Sequence, residues 1–313
     1  MTELKKYEVA AILINYNSAE FTIGCIQKII EKTKTELSYQ IVVVDNASES
    51  EDYSKLYEFC KTLNNPNLTL VRSKINTGFG GGNMHGVQYA NADYLAFINN
   101  DSILLNDSIS ILLNAMKNNP EFGICGPLCF KEDMTLLPTI DHFASPAKEF
   151  LGRNFLEKSN PVKYPNRKKH YEKPQQAQFV SGSFMMVRTA DFNEVGGFDT
   201  NIFLYFEETD LCKRLLAIGK KAFLIPEAQF IHYHGVSTPS SILIKTELKI
   251  SFLYIIRKHY GVIWHFILLH YLQIQYFFKS IFKPKYWPLF KVLLKGASLS
   301  DSLKTKQKIK TLI

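Results

Sequence analysis

The sequence predicts an α/β protein built on a mainly parallel sheet with helices covering both faces. Three observations carry that prediction. Short apolar runs of β type alternate with stretches of helical periodicity from Val9 to Leu128, the pattern of successive strand–helix–strand units. Several of these runs stop abruptly in Asn, Asp or Ser, as buried parallel strands do where their C-terminal ends open into a site. The 313 residues are 46% hydrophobic and 21% charged, enough apolar material for a full core and too much for a disordered chain.

The run over residues 9–14 reads as a buried strand that ends in Asn15-Tyr16-Asn17-Ser18. Phe21, Cys25, Ile26, Ile29 and Ile30 then recur at helical spacing, so an amphipathic helix follows. A second strand over 40–44 ends in Asp45-Asn46-Ala47-Ser48, a helix covers 52–63, and a third strand occupies 68–71. Asn76-Thr77-Gly78-Phe79-Gly80-Gly81-Gly82-Asn83 leads into a helix running to Asn91. The fourth strand, Tyr94-Leu95-Ala96-Phe97-Ile98, ends in Asn99-Asn100-Asp101. Taken alone, Asn100-Asp101-Ser102 suits a turn and a helix N-cap as well as a metal or phosphate site. Polar ends of three strands converging on one edge of a parallel sheet favour the site, because ligands of open α/β sheets bind there. Asp101 is its leading residue.

The glycines do not form a dinucleotide fingerprint. They follow the third strand rather than the first, and Asn83 stands where the last glycine of G-x-G-x-x-G belongs. No Gly-Lys-Ser/Thr follows, so a P-loop is excluded. Two readings stay open: backbone N–H groups of a glycine-rich helix N-terminus approaching an anion or sugar ring, or a tight structural turn.

Beyond a helix over 112–117 and a strand over 122–128, residues 131–174 are rich in Lys, Pro and Asn and read as loops over the site. Their Arg167-Lys168-Lys169 cluster reads as solvated surface. Residues 178–188 are strand-like, with a small-residue step at Ser181-Gly182-Ser183. Phe206-Glu207-Glu208-Thr209-Asp210 then crowds three carboxylates at a helix N-terminus, where acids also stabilise the helix dipole. The three point in different directions around the helix, so one can face a cavity while another serves structure. His232 and His234 share one face of a strand beside a glycine turn, which suggests a metal site.

Together these segments resemble family 2 glycosyltransferases of the GT-A fold, in the bacterial rhamnosyltransferase-like branch. The resemblance covers about residues 9–240 and rests on Ile14-Asn15-Tyr16-Asn17, Val44-Asp45-Asn46-Ala47-Ser48, the 76–83 stretch, Asn99-Asn100-Asp101, Gly196-Gly197-Phe198-Asp199, Phe206 to Asp210, and the His232 segment. It implies a Rossmann-like central sheet and a nucleotide-diphosphate sugar donor. Asp45 is then the carboxylate that meets the donor base beside Asn15, Tyr16 and Asn17, while Gly78, Gly80, Asn83 and Asn100 line the donor. Asp101 corresponds to the last acid of the family's D-x-D motif, with Asn99 in place of the first, and holds Mg²⁺ or Mn²⁺ together with His232, which fits better than His234. Glu208 takes the position of the catalytic base, with Glu207 and Asp210 as alternatives. The reaction implied is a single inverting displacement onto an acceptor hydroxyl, in which a hexose, L-rhamnose from dTDP-rhamnose, passes to a cell-surface or lipid-linked glycan.

The remainder, 241–313, reads as a helical, basic extension to a transferase domain over 1–240. From Lys245 onward there are 13 Lys or Arg against Glu247 and Asp301, which is +11; the preceding residues hold 24 basic against 27 acidic, which is −3. Residues 263–278 are strongly apolar and aromatic but interrupted by His and Gln, and short for a span. A helix lying in the membrane interface, drawn to anionic lipid by Lys279, Lys283, Lys285, Lys291 and Lys295, accounts for both features; packing within a homo-oligomer is the alternative. No nucleic-acid reading module is present. Five cysteines in apolar runs, and a polar N-terminus without a secretory signal, suggest reduced thiols and a cytoplasmic protein peripheral to the inner membrane face. Cys125 and Cys129 lack the second pair a zinc site needs. Two rival functions remain. A sugar-1-phosphate nucleotidyltransferase is disfavoured by the absence of a glycine-rich loop with a basic residue after the first strand, and a catalytically silent membrane-associated protein would bind a sugar nucleotide without consuming it.

Overall fold

The computed structural model describes residues 6–233 and 241–311. His234, Ser237 and the expected boundary at residue 240 lie outside the described residues. The chain opens with β1 (Tyr7–Asn15), α1 (Ala19–Lys32), β2 (Tyr39–Asp45), α2 (Ser50–Leu63), β3 (Leu68–Arg72), α3 (Gly78–Val87) and β4 (Ala92–Ile98). These are the strand–helix alternations expected, with β1 parallel to both β2 and β4, and β2 parallel to β3. Both faces of β1 are buried. Val9, Ala11 and Leu13 join one apolar cluster while Ala10 and Ile12 join the other, which is why the strand reads as a continuous apolar run rather than an alternating one.

The second half makes the sheet mixed. After β5 (Ser102–Leu104), α4 (Ser108–Asn118) and β6 (Phe122–Phe130) come the short strands β7 (Leu136–Leu137) and β8 (Ile140–Asp141), helices α5 (Pro146–Leu151) and α6 (Arg153–Ser159), and strands β9 (Gln175–Ala177) and β10 (Phe179–Val180). Residues 131–174, expected as loops, therefore carry two short helices and, through β8 paired with β10, part of a second small sheet. Next are β11 (Phe184–Arg188), α7 (Thr189–Glu194), α8 (Glu207–Ala217) and β12 (Lys221–His232). The main sheet runs β3-β2-β1-β4-β11-β6-β12-β5. Strand β11 lies antiparallel between β4 and β6, and β5 antiparallel to β12. The reversal has a local cause: the Ser181-Gly182-Ser183 step starts β11 at the edge where β4 ends, with Asn99 N–H donating to the Ser183 carbonyl at 2.8 Å.

Helix α9 (Ile242–Phe282) is two helices joined at Gly261, whose φ of 86° and ψ of 178° lie in a region open essentially to glycine. Leu253 and Ile256 before the break, Leu268 and Leu272 after it, and Leu289 and Leu293 of α10 (Trp287–Leu294) form a third apolar cluster that reaches Ala144 and Ile202. Among the described residues no helix is long and apolar enough to cross a membrane. The chain end then returns to the sheet edge, where Lys310 N–H donates to the Lys74 carbonyl and its ammonium pairs with Glu49 at 2.6 Å.

Candidate active site

Asp101 and His232 are far apart in sequence and adjacent in space. The antiparallel pairing of β5 with β12 sets His232 opposite Ser102, and His232 Nε2 lies 2.9 Å from Asp101 Oδ1. Asn99 Nδ2 is 3.4 Å from the same ring nitrogen. Asp101 is 4% exposed and borders a cavity of about 240 Å³ shared with Phe21, Asn100 and Tyr233. An imidazole nitrogen beside a carboxylate that borders a cavity fits a divalent cation. Among the described residues no group of three or more His, Cys, Asp or Glu side chains gathers, so the pair suits an ion such as Mg²⁺, which keeps waters and takes substrate phosphate oxygens rather than a full protein cage.

The three acids of α8 have three different environments. Tyr205 and Phe206 immediately before the helix both have positive φ, 73° and 72°, which costs of order 1–3 kcal/mol per residue and persists only when the surroundings impose it. Here α9 imposes it: Ser251 Oγ donates to the Leu204 carbonyl at 2.7 Å, and the Phe206 ring packs 5.9 Å from that of Phe252. The helix then begins with Glu207, which is 2% exposed. Burial first and the neighbouring Glu208 second push its carboxyl well above the usual range, against a hydrogen bond from the Gly80 amide. Glu208 is half-buried. Burial raises its pKa too, while the amide of Gly182 donates to it. Asp210 is locked: Lys258, His259 and Arg214 sit 2.7, 2.8 and 2.7 Å from its oxygens. Despite burial, the hydrogen bond from His259 and the charges of Arg214 and Lys258 hold it down at about 2. Asp210 thereby serves to tie α8 to α9. The turn at Gly182 and Ser183 joins the two corners, since Gly182 touches Glu208 and Ser183 holds Asn99.

Several expected donor contacts are engaged elsewhere. The Gly78 N–H donates to Asn76 Oδ1, Phe79 N–H to the Phe203 carbonyl, and Gly80 N–H to Glu207, so this helix N-terminus has spent the amides that would cradle a diphosphate. Close packing explains its glycines instead. A Cβ on Gly78, whose φ is +74°, would stand 2.0 Å from the Phe203 carbonyl oxygen, and one on Gly86 would stand 2.6 Å from Ile12. Asn83 is buried and donates back to the Phe79 carbonyl. Asn100 donates to Ser18 and Thr22 hydroxyls, tying β4 to α1. Asn15 donates to Asp45, Ser48 and Asp52. Asp45 has no exposed surface; it accepts from Asn15, from the Ser48 amide and from Arg72 Nε at 3.2 Å. Asp45 thus fixes the Arg72 guanidinium at the end of β3. Tyr16 and Asn17 are exposed at the same edge.

Arg72 is the residue that sequence reasoning missed. It stands opposite Asp45 in the β2–β3 register, with its guanidinium 3.9 Å from the centroid of the Tyr53 ring. Its signal was present, a cation at the C-terminal end of a parallel strand beside an acid-ended one. The five thiols are unpaired in the structure, and burial pushes Cys129 and Cys212 up to about 12.

The family model for Glycosyl transferase family 2 matches residues 10–196. Rhamnosyltransferase WbbL of Escherichia coli K12 is 26% identical over 260 residues, 80% of this chain and 93% of the relative. An N-acetylglucosaminyl-diphospho-decaprenol L-rhamnosyltransferase of Mycobacterium tuberculosis is 30% identical over 162 residues, 49% of this chain and 52% of the relative. A mannosyltransferase from Pyrobaculum calidifontis, solved with GDP-Man and Mn²⁺, superimposes with a TM-score of 0.56 at 15% identity over 94% of this chain and 86% of that one. At that identity the likeness establishes a shared GT-A-like α/β fold.

Proposed function

Because the chain belongs to glycosyltransferase family 2, we propose that it moves a hexose, L-rhamnose from dTDP-rhamnose, with inversion onto a hydroxyl of a lipid-linked or cell-surface glycan. The sugar is favoured by the rhamnosyltransferase relatives, and the lipid-linked acceptor by the decaprenol diphosphate in the name of one of them. The observation that carries the reading is the placement of Glu208 and of the Asp101–His232 pair on either side of the Gly182–Ser183 turn.

In this reading Asp101 and His232 hold Mg²⁺ or Mn²⁺, which when bound offsets negative charge on the leaving nucleotide diphosphate. Asn99 orients the imidazole. Tyr16, Asn17 and the Asp45-held Arg72 form the wall against which the nucleotide lies. Glu208, half-buried and with its proton affinity raised, accepts the proton of the acceptor hydroxyl as the new bond forms, a role for which a pKa drawn toward the working pH is suited. Glu207, buried, with burial and the neighbouring Glu208 raising its proton affinity, supports the helix start.

The extension over 241–313 supplies peripheral contact with the inner face of the membrane. Ile263, Phe266, Phe278 and Phe282 are 75%, 59%, 56% and 81% exposed, and the lysines from Lys279 to Lys295 follow them; an apolar face rimmed by cations suits an anionic lipid interface. A panel of nucleotide sugars assayed for metal-dependent release of nucleotide diphosphate tests the function. Turnover of dTDP-rhamnose with acceptor is the expected result; consumption of a nucleoside triphosphate with a sugar phosphate would establish a nucleotidyltransferase instead.

A further inference from the structure

A cavity of about 580 Å³, separate from the Asp101 corner, lies between α5, α8 and the Gly261 break of α9, within the range of small-molecule sites. Its walls are largely apolar and aromatic, with Phe143, Leu216, Tyr260 and Trp264 prominent. Its charged lining residues are Lys163, Lys213 and Lys221, and no acid lines it. Among the described residues none of the three lysines lies within ion-pair distance of a carboxylate. Lys213 instead stacks its ammonium 3.6 Å from the Tyr260 ring centroid, and burial draws its pKa down to about 8. With Lys163 exposed at its mouth and Lys213 and Lys221 partly buried along it, the hollow presents positive charge beside apolar walls, which favours an anionic amphiphile.

Position adds the second argument. Glu208, Cys212 and Leu216 recur every fourth residue of α8, so they share one face. Cys212 and Leu216 line the cavity, which therefore begins about 6 Å along the helix from the candidate base and extends to about 12 Å, at 1.5 Å per residue. At its outer end Trp264 adjoins Ile263, Phe266 and Ile267, all at least 40% exposed, so the apolar lining continues into the surface face already assigned to the bilayer.

We propose that this cavity binds the phosphate-bearing lipid of the acceptor, with its anionic headgroup against Lys163 and Lys213 and its hydrocarbon along Tyr260 and Trp264. The assignment rests on the transferase reading and adds the acceptor's class and its place. The sugar at the far end of the headgroup would then project along α8 toward Glu208.

Trp264 and Trp287 are the two tryptophans of the chain, so full-length protein carrying Trp287→Phe reports on the cavity by fluorescence. Titrated below its micelle concentration, geranylgeranyl diphosphate is expected to give a saturable change in Trp264 emission. Geranylgeraniol and inorganic diphosphate, each carrying half of the ligand, are expected to bind at least tenfold more weakly. Lys163→Gln with Lys213→Gln should raise the Kd for the lipid diphosphate at least tenfold, and Ala147→Phe, which narrows the cavity, should do the same. Equal binding by the double-lysine variant, or equal binding of the alcohol and the diphosphate, would overturn the proposal. Slow hydrolysis of the sugar nucleotide by water, measured without acceptor, should be unchanged in these variants. Its absence in the parent protein would count against the transferase reading and not against the cavity.

Discussion

Replacing Asp210 with Asn tests whether the ion pairs between α8 and α9 hold α8, which carries the proposed base, in place. Asp210 has no exposed surface and faces Lys258, His259 and Arg214. Its pKa falls from 3.8 to about 2, and at 1.36 kcal/mol per unit that depression corresponds to about 2 kcal/mol of folding stability. Because the folded-state pKa is the lower one, this contribution is fully present above pH 3.8 and disappears as the pH falls through the range down to about 2. The amide also leaves the partly buried Lys258 and Arg214 less compensated, and breaking a fully buried pair would cost about 3–5 kcal/mol. Lys258 keeps Asp199 at 2.7 Å and Arg214 keeps the Val195 carbonyl at 2.5 Å, so a cost between the roughly 2 kcal/mol of the pKa shift and the middle of that range, about 4 kcal/mol, is expected. Urea unfolding at pH 7.5 should show a deficit of about 2–4 kcal/mol, and the gap between parent and variant should narrow at pH 3. Superimposed unfolding curves at pH 7.5, or a gap indifferent to pH, would refute the network's role.

Three further outcomes are expected. The rate of transfer should rise with pH through a value above the ordinary 4.5 of glutamate, since burial raises Glu208 and a base must be deprotonated to act; Glu208→Gln should lower the rate roughly 10²–10⁴-fold without unfolding the protein, and a variant retaining a tenth of the activity would remove Glu208 from the role. His232→Ala should raise the Mn²⁺ concentration for half-maximal turnover at least tenfold, whereas an unchanged metal requirement would detach the histidine from the site. Gly78→Ala should destabilise the fold by about 1–3 kcal/mol or more, because its φ is +74° and the new methyl meets the Phe203 carbonyl at 2.0 Å; a melting temperature equal to the parent's would contradict that packing role.

The parallel half of the fold was legible because β1, β2 and β4 are buried along most of their length and end in polar clusters, a pattern that needs no tertiary information. The antiparallel insertion of β11 was not, since Phe184 to Arg188 reads as any apolar strand and only the pairing of Asn99 with Ser183 reverses its direction. The Asp101–His232 contact was anticipated from residue type and order, and β5–β12 pairing delivers it. The glycine stretch stayed open between two readings for a physical reason. Glycines that let a ligand approach a helix N-terminus and glycines that let Phe203 and Ile12 approach it are identical in sequence, and the difference lies in which acceptors take the N–H groups. The pairing of Asp45 with Arg72 was likewise not legible, because a strand-end carboxylate gives no sign of which cation on the next strand it will meet.

The positive-φ pair at Tyr205 and Phe206 links the extension to the chemistry. Two such residues store of order 2–6 kcal/mol of strain, too much for an exposed loop to hold unaided. The contacts that oppose it, from Ser251 and Phe252, come from the first half of α9, which also supplies Lys258 and His259 to Asp210. The aromatic face proposed to meet lipid begins just beyond the Gly261 break, two residues after His259. The half of α9 that supports the start of α8, which carries Glu208, and the half proposed to meet the bilayer are therefore separate segments joined at a single glycine.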